Sequence, residues 1–130
     1  GGNMSVVKIR VQEPSDGPAL FRLYAQQGWD SFSQELLEQL LTASHWLILE
    51  QEGQIIGSAR YLTDGLRTVY LCELLVKAEY RRQGYGSQLM AELRRRYPGL
   101  RIDLISDADA FYDSLQMRQR GMGYRSKPES

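Results

Sequence analysis

The stretch of this chain best suited to chemistry is Val76-Lys77-Ala78-Glu79-Tyr80-Arg81-Arg82-Gln83-Gly84-Tyr85-Gly86. An apolar run that reads as a strand feeds a basic loop, and the loop opens a helix. Gly84 and Gly86 let a ligand come close to the backbone. The first amides of a helix have no partner in their own helix, and the helix dipole favours an anion there. Arg81 and Arg82 add positive charge beside them, so the arrangement suits a pyrophosphate. It lacks the Lys-Ser/Thr ending of a nucleotide P-loop. It also lacks the third glycine and the strand-helix-strand opening of a dinucleotide fold. The plain alternative is a strand-to-helix turn with solvated arginines.

Other reactive side chains are few. Cys72 is the one cysteine and His45 the one histidine, so no zinc site of the usual kind is expected. Cys72 has no histidine near it in sequence, and a buried thiol is normally inert. His45 begins a strand and reads as a surface residue. Arg94, Arg95 and Arg96 read as a solvated helix end. Glu73 is the lone charge between Val69 and Val76, and burying it without purpose would be costly. Asp103 sits in the strand that follows.

Size and charge narrow the partners. The chain has 130 residues, enough for one domain, with 16 Lys plus Arg against 16 Asp plus Glu and a formal net charge of +0. That balance removes the basic excess a nucleic-acid binder needs and gives no strong pull toward an anionic membrane. No apolar run approaches the roughly 20 residues needed to span a bilayer. A single cysteine fits a reducing compartment, so a cytoplasmic location is expected. Gly1 to Asn3 reads as a non-native leader before a natural start at Met4.

The elements that must position the loop can be read in turn. Val6 to Val11 alternates as a first strand. Pro14-Ser15-Asp16 starts a helix that places Leu20, Leu23 and Tyr24 on one face and ends at Gly28. Ser33 caps a second helix, with Leu36, Leu37, Leu40 and Leu41 at helical spacing. Strands are expected over His45 to Glu50 and Ile55 to Leu62, and Asp64-Gly65 is a turn signal. Thr68 to Val76 is apolar enough to be covered on both faces. The helix after the loop carries Tyr85, Leu89, Leu93 and Tyr97 on one stripe with Met90 beside it. Pro98-Gly99 stops it. Leu100 to Ile105 predicts a short strand, Ala108, Phe111 and Leu115 a last short helix, and the residues from Gly121 on one strand and a frayed end.

At the loop a resemblance becomes specific. Arg81-Arg82-Gln83-Gly84-Tyr85-Gly86, preceded by Leu75-Val76, resembles motif A of the GNAT superfamily of N-acetyltransferases. The hairpin Gly53-Gln54-Ile55-Ile56-Gly57 is similar to that family's second and third strands. Phe111-Tyr112-Asp113-Ser114-Leu115 is similar to its Phe-Tyr-x-x-Leu-Gly-Phe segment. The pieces follow the family's order over nearly the whole chain. Ala78 replaces the usual proline, Gln116 a glycine and Met117 a phenylalanine, and the chain stops about one strand early.

The resemblance implies an α/β (α+β) fold: a single domain over residues 1–130, with a mixed, mostly antiparallel sheet, helices on both faces and an abbreviated C-terminus. It implies acetyl-coenzyme A as co-substrate and an amine of a small molecule or peptide as acceptor. Leu75, Val76, Arg81, Arg82, Gln83, Gly84, Tyr85, Gly86 and Ser87 would hold the coenzyme, and an amide near Val76 would polarise the acetyl carbonyl. Tyr112 matches the family's general acid, and the bland reading of it is a packed amphipathic side chain. An amine must lose a proton before attack. Glu73 is the first candidate base and Asp103 the second, and either is alternatively the structural partner of an arginine. The competing functional reading is a coenzyme A-binding regulatory module without catalysis. The abbreviated sheet edge invites a homodimer.

Overall fold

The computed structural model describes residues 6–105, 109–115 and 117–128. Four strands run antiparallel to their neighbours: β1 (Val7–Val11), β2 (His45–Gln51), β3 (Gln54–Thr63) and β4 (Thr68–Val76). β5 (Arg101–Asp103) joins β4 in parallel and completes the order β1-β2-β3-β4-β5. A parallel neighbour needs a crossover, and α3 (Tyr85–Arg96) supplies it between β4 and β5.

Helices cover both faces, as expected. On one face α1 (Gly17–Gln26) and α2 (Gln34–Ala43) press Leu20, Leu23, Tyr24, Leu37 and Leu41 against Trp46, Ile48 and Leu75. On the other, Leu89, Met90 and Leu93 of α3 cover Leu47, Leu49, Ile56, Ala59, Val69 and Leu71. Each large apolar side chain buried this way contributes roughly 1.5–3 kcal/mol. Ser33 caps α2 as its sequence implies, its hydroxyl accepting from the Leu36 amide at 3.1 Å. Of the four leucines on α2, Leu37 and Leu41 are the buried ones, while Leu36 is 37% exposed.

Two strand readings need correction. β5 stops at Asp103, short of the expected Ile105, because its pairing with β4 ends there. The strand expected from Gly121 on is absent among the described residues 117–128, which take no regular structure. Met122 and Tyr124 stand 80% and 92% exposed, so that segment lacks the alternating burial that pins a strand in register. Gly1 to Asn3, Met4, Ala108 and Gln116 lie outside the described residues.

The most consequential departure from regularity is a bulge in β4. Arg60 faces Glu73, but Tyr61 faces Leu71, so Cys72 is the extra residue. A bulge adds one residue to the alternation and switches the faces. Before it, Val69 and Leu71 pack toward α3. After it, Leu75 packs toward α1 and α2, while Leu74 and Val76 take the α3 side.

Candidate functional site

The parting of β4 from β5 makes the site. Only Thr68, Val69 and Tyr70 pair with β5, opposite Arg101, Ile102 and Asp103. β4 then runs on to Val76, held by β3 on its other edge. The Lys77 amide donates to the Ile56 carbonyl at 2.7 Å, so Lys77 faces β3. In a strand, successive backbone groups alternate between edges. The amides and carbonyls of Val76 and Leu74 therefore face the edge that β5 has left. Arg81 agrees with this count, its Nε donating to the Val76 carbonyl at 3.2 Å.

The loop after β4 is shaped by its backbone. A short 3-10 turn, Ala78–Tyr80, leads to Arg81, and Arg82 and Gly84 then take left-handed conformations, with φ of 63° and 85°. Alternating handedness of this kind turns successive amides toward one concavity, which is an anion-binding nest. α3 begins at Tyr85, and its first bond runs from the Gln88 amide to the Gly84 carbonyl at 3.0 Å. The amides of Tyr85, Gly86 and Ser87 precede that bond and are available to a ligand. Gln83 folds back, its amide nitrogen donating to the Glu79 carbonyl at 3.3 Å. Arg81, Arg82, Gln83, Gly84 and Ser87 are exposed, while Tyr85 and Gly86 are half-buried.

Gly86 has a further reason to be small. A Cβ placed there would lie 2.9 Å from Cζ of Phe111 and 3.5 Å from Cδ2 of Leu74. The ring of Phe111, on α4 (Asp109–Ser114), therefore rests on the start of α3 beside the free edge of β4. Tyr112 follows directly, its ring 5.0 Å from that of Phe111 in an edge-on pair. The Tyr112 carbonyl accepts from the Leu115 and Met117 amides at 3.1 and 3.2 Å, which closes α4. The structure thus brings Leu75, Val76, the Arg81 to Ser87 loop and the helix bearing Tyr112 to one end of the sheet.

The two carboxylates stand elsewhere. Glu73 points to the α1 and α2 side and is 8% exposed. It accepts from Arg60 Nε at 2.6 Å, from the Arg60 terminal nitrogen at 2.5 Å and from Tyr24 Oη at 2.8 Å. Burial, then the neighbouring Glu73 charge, pushes the Tyr24 phenol well above its ordinary range, so it stays a proton donor. Burial works against the charge on Arg60, but the bonds it donates to Glu73 and that carboxylate's charge outweigh it and raise its pKa. Asp103 is exposed at the last β4–β5 pair, opposite Tyr70. Val76 lies six positions along β4 from Tyr70, roughly 20 Å at about 3.3 Å per residue. Asp103 instead borders a surface hollow of ≈ 360 Å³ with Arg94, Arg118 and Arg120.

Two partners escaped the sequence reading, Tyr24 and Arg60. A signal for Arg60 existed: it is the one charge in β3 as Glu73 is in β4, and adjacent antiparallel strands bring lone charges together. Cys72 sits half-buried on the bulge, and burial raises its thiol pKa, which keeps it protonated at neutral pH. His45 is exposed, its ring stacked on that of Tyr61 at 5.3 Å. Among the described residues no cluster of His, Cys, Asp or Glu is placed to hold a metal ion. Among the same residues no helix is long and apolar enough to cross a membrane.

Residues 13–124 match the family model described as acetyltransferase (GNAT) family. No curated protein matches the sequence. A GNAT-family acetyltransferase from Streptococcus pneumoniae TIGR4 is similar in structure, with a TM-score of 0.77 and 25% identity, over 95% of this chain and 100% of that one. An aminoglycoside acetyltransferase from an uncultured soil metagenomic sample, in complex with sisomicin, gives a TM-score of 0.76 at 20% identity, over 95% and 97%. An aminoglycoside N-acetyltransferase in complex with CoA gives 0.74 at 20% identity, over 95% and 97%.

Proposed function

The chain belongs to the acetyltransferase (GNAT) family and is an acetyl-coenzyme A-dependent N-acetyltransferase, and from that premise we propose that it passes the acetyl group directly to an amine of a small molecule or peptide in the angle between β4 and β5. One observation carries the proposal: β4 leaves β5 after Tyr70 and presents Leu74 and Val76 backbone groups to an edge that no strand pairs among the described residues. An open strand edge accepts an extended, amide-bearing chain by strand-like hydrogen bonds, which suits the pantetheine arm. The nest at Arg82 and Gly84, with the amides ahead of α3, suits the diphosphate. These residues fit acetyl-coenzyme A, which supplies a thioester as the acyl donor.

The chain's own groups then divide the work. Amides of Arg82, Gln83, Gly84, Tyr85, Gly86 and Ser87 hold the diphosphate. Leu75 anchors the end of β4 in the α1 and α2 core, so the Val76 amide is a preset donor for the acyl carbonyl oxygen. Tyr112 carries the proton that the departing sulfur takes up. The bonds on Glu73 favour a supporting role, fixing β4 behind its presented amides. On this reading the amine enters neutral or loses its proton to water, since Asp103 lies at the closed end of the strand pair.

Aminoglycoside enzymes among the similar structures keep small polyamines among the acceptors to try, although at 20% identity they speak for the fold alone. A cytoplasmic setting is part of the same proposal, supported by a free cysteine that is half-buried. So is a homodimer, supported by β5 standing at the edge of the sheet. Thiol release from acetyl-coenzyme A with a panel of amines tests the reaction. Tyr112→Phe should lower turnover by about tenfold or more while coenzyme binding persists. Turnover at the original rate would assign Tyr112 to packing. Coenzyme binding without thiol release for any amine would favour a binding module instead.

A further inference from the structure

One side chain joins the proposed coenzyme cleft to the opposite face of the sheet. Arg81 donates through Nε to the Val76 carbonyl at 3.2 Å and through a terminal nitrogen to Gln27 Oε1. Gln27 is the residue that closes α1, its amide bonded back to the Tyr24 carbonyl at 3.1 Å. Trp29, two residues on, donates to that same carbonyl at 3.1 Å and sets its ring edge-on to Tyr24 at 5.8 Å. Gln27 Nε2 is buried and has no partner among the described residues. The end of α1 is therefore held by Arg81 from one direction and leaves a polar atom unsatisfied in the other.

The Val76 carbonyl is also a group that an extended ligand along β4 would use. A diphosphate on the neighbouring amides would attract the same guanidinium through charge-assisted bonds. Either event draws Arg81 away from Val76. A planar guanidinium is a rigid fork, so drawing Nε off Val76 also moves the terminal nitrogen that Gln27 accepts from. We infer that Arg81 is a positioning residue that couples occupancy of the β4–β5 cleft to the loop between α1 and α2, releasing Gln27 and Trp29 when the coenzyme is seated. The inference rests on the coenzyme reading above. A contact surrendered on binding opposes binding, so its removal favours the coenzyme.

Tryptophan emission during titration with coenzyme A tests this. Trp29→Phe isolates the contribution of Trp29 from that of Trp46, the other tryptophan. The unaltered chain should change its emission on saturation, and Trp29→Phe should not. Gln27→Leu should abolish the change, whereas Gln27→Glu, which keeps an acceptor oxygen for Arg81, should retain it. By calorimetry Gln27→Leu should bind coenzyme A as tightly as the unaltered chain or tighter, by up to about tenfold, the scale of one hydrogen bond. A full emission change in Gln27→Leu, weaker coenzyme binding in that variant, or a silent Trp29 in the unaltered chain with coenzyme bound would each overturn the inference. Absence of calorimetric binding to the unaltered chain would overturn the coenzyme reading itself, and this inference with it.

Discussion

Glu73 and the Arg81 to Ser87 loop lie a few residues apart at one end of β4 and are built on opposite plans. Around Glu73 the structure invests in side chains: a buried carboxylate with Arg60 on both oxygens and Tyr24 on one. In the loop it invests in backbone: left-handed turns at Arg82 and Gly84 and amides ahead of a helix, with most side chains in water. A buried charge that loses its partner has nowhere to go, so substitutions near Glu73 act on stability. A backbone nest survives the loss of a side chain but not the loss of its conformation, so on the proposed function substitutions in the loop should act on binding.

The largest break in that contrast should come from Glu73→Ala. It leaves Arg60 without its counter-ion, and denaturant unfolding should show a loss of about 3 kcal/mol, the low end for a broken buried pair because the Arg60 side chain retains 14% exposure. Replacing Glu73 and Arg60 together by methionine should recover most of it. Glu73→Gln, checked for folding, should leave the acidic limb of the pH–rate profile in place. Loss of that limb would return Glu73 to the role of base.

Gly86→Ala should fall between the two regions in kind as well as size. The added methyl meets the Phe111 ring at 2.9 Å, and the overlap should cost about 1–3 kcal/mol in unfolding measurements. Phe111→Leu in the same chain should restore part of the loss. No recovery would mean that the Phe111 ring is not what keeps residue 86 small.

The smallest effect is expected at the far end of β4. Asp64 Oδ1 accepts from the Leu66 and Arg67 amides at 2.9 Å and from Thr68 at 3.1 Å. Those bonds, Arg67 first, hold its pKa at about 2, below the ordinary 3.8. A carboxyl depressed on folding stabilises the fold fully above its unfolded value, and that contribution fades as pH falls from about 4 through about 2. Melting temperature followed across this window should drop slightly less in Asp64→Asn than in the unaltered chain. Equal drops would show that the turn contributes nothing.

Much of this was legible because local chemistry and long-range packing agree. Ser33, Gly28, Asp64-Gly65 and Pro98-Gly99 mark ends that the backbone respects, and the leucine spacing places α1, α2 and α3. The fold followed from these and from the resemblance. The bulge at Cys72 was not legible, because nothing in Tyr70-Leu71-Cys72-Glu73 distinguishes a bulged strand from a regular one. Its consequence is large, since it decides which face Glu73 takes. The reach of Arg81 to Gln27 was hidden for a related reason: the two are 54 residues apart, and only the sheet brings them together. The missing last strand shows the converse. Gly121 to Tyr124 has strand-like residues, yet Met122 and Tyr124 find no surface to pack on among the described residues.

Calorimetry with coenzyme A on Gly84→Val and Arg82→Gly tests most directly whether the coenzyme is held by the backbone nest. A side chain at Gly84 would meet nothing within 4 Å, so the variant should fold, but the backbone there has φ of 85°, which valine resists. Arg82→Gly removes a charge and eases a left-handed residue, leaving the amides in place. Gly84→Val should weaken binding by at least about tenfold, about 1.4 kcal/mol, and Arg82→Gly by only a few-fold. Unchanged affinity in folded Gly84→Val would contradict the backbone nest, and so would an Arg82→Gly loss larger than that of Gly84→Val.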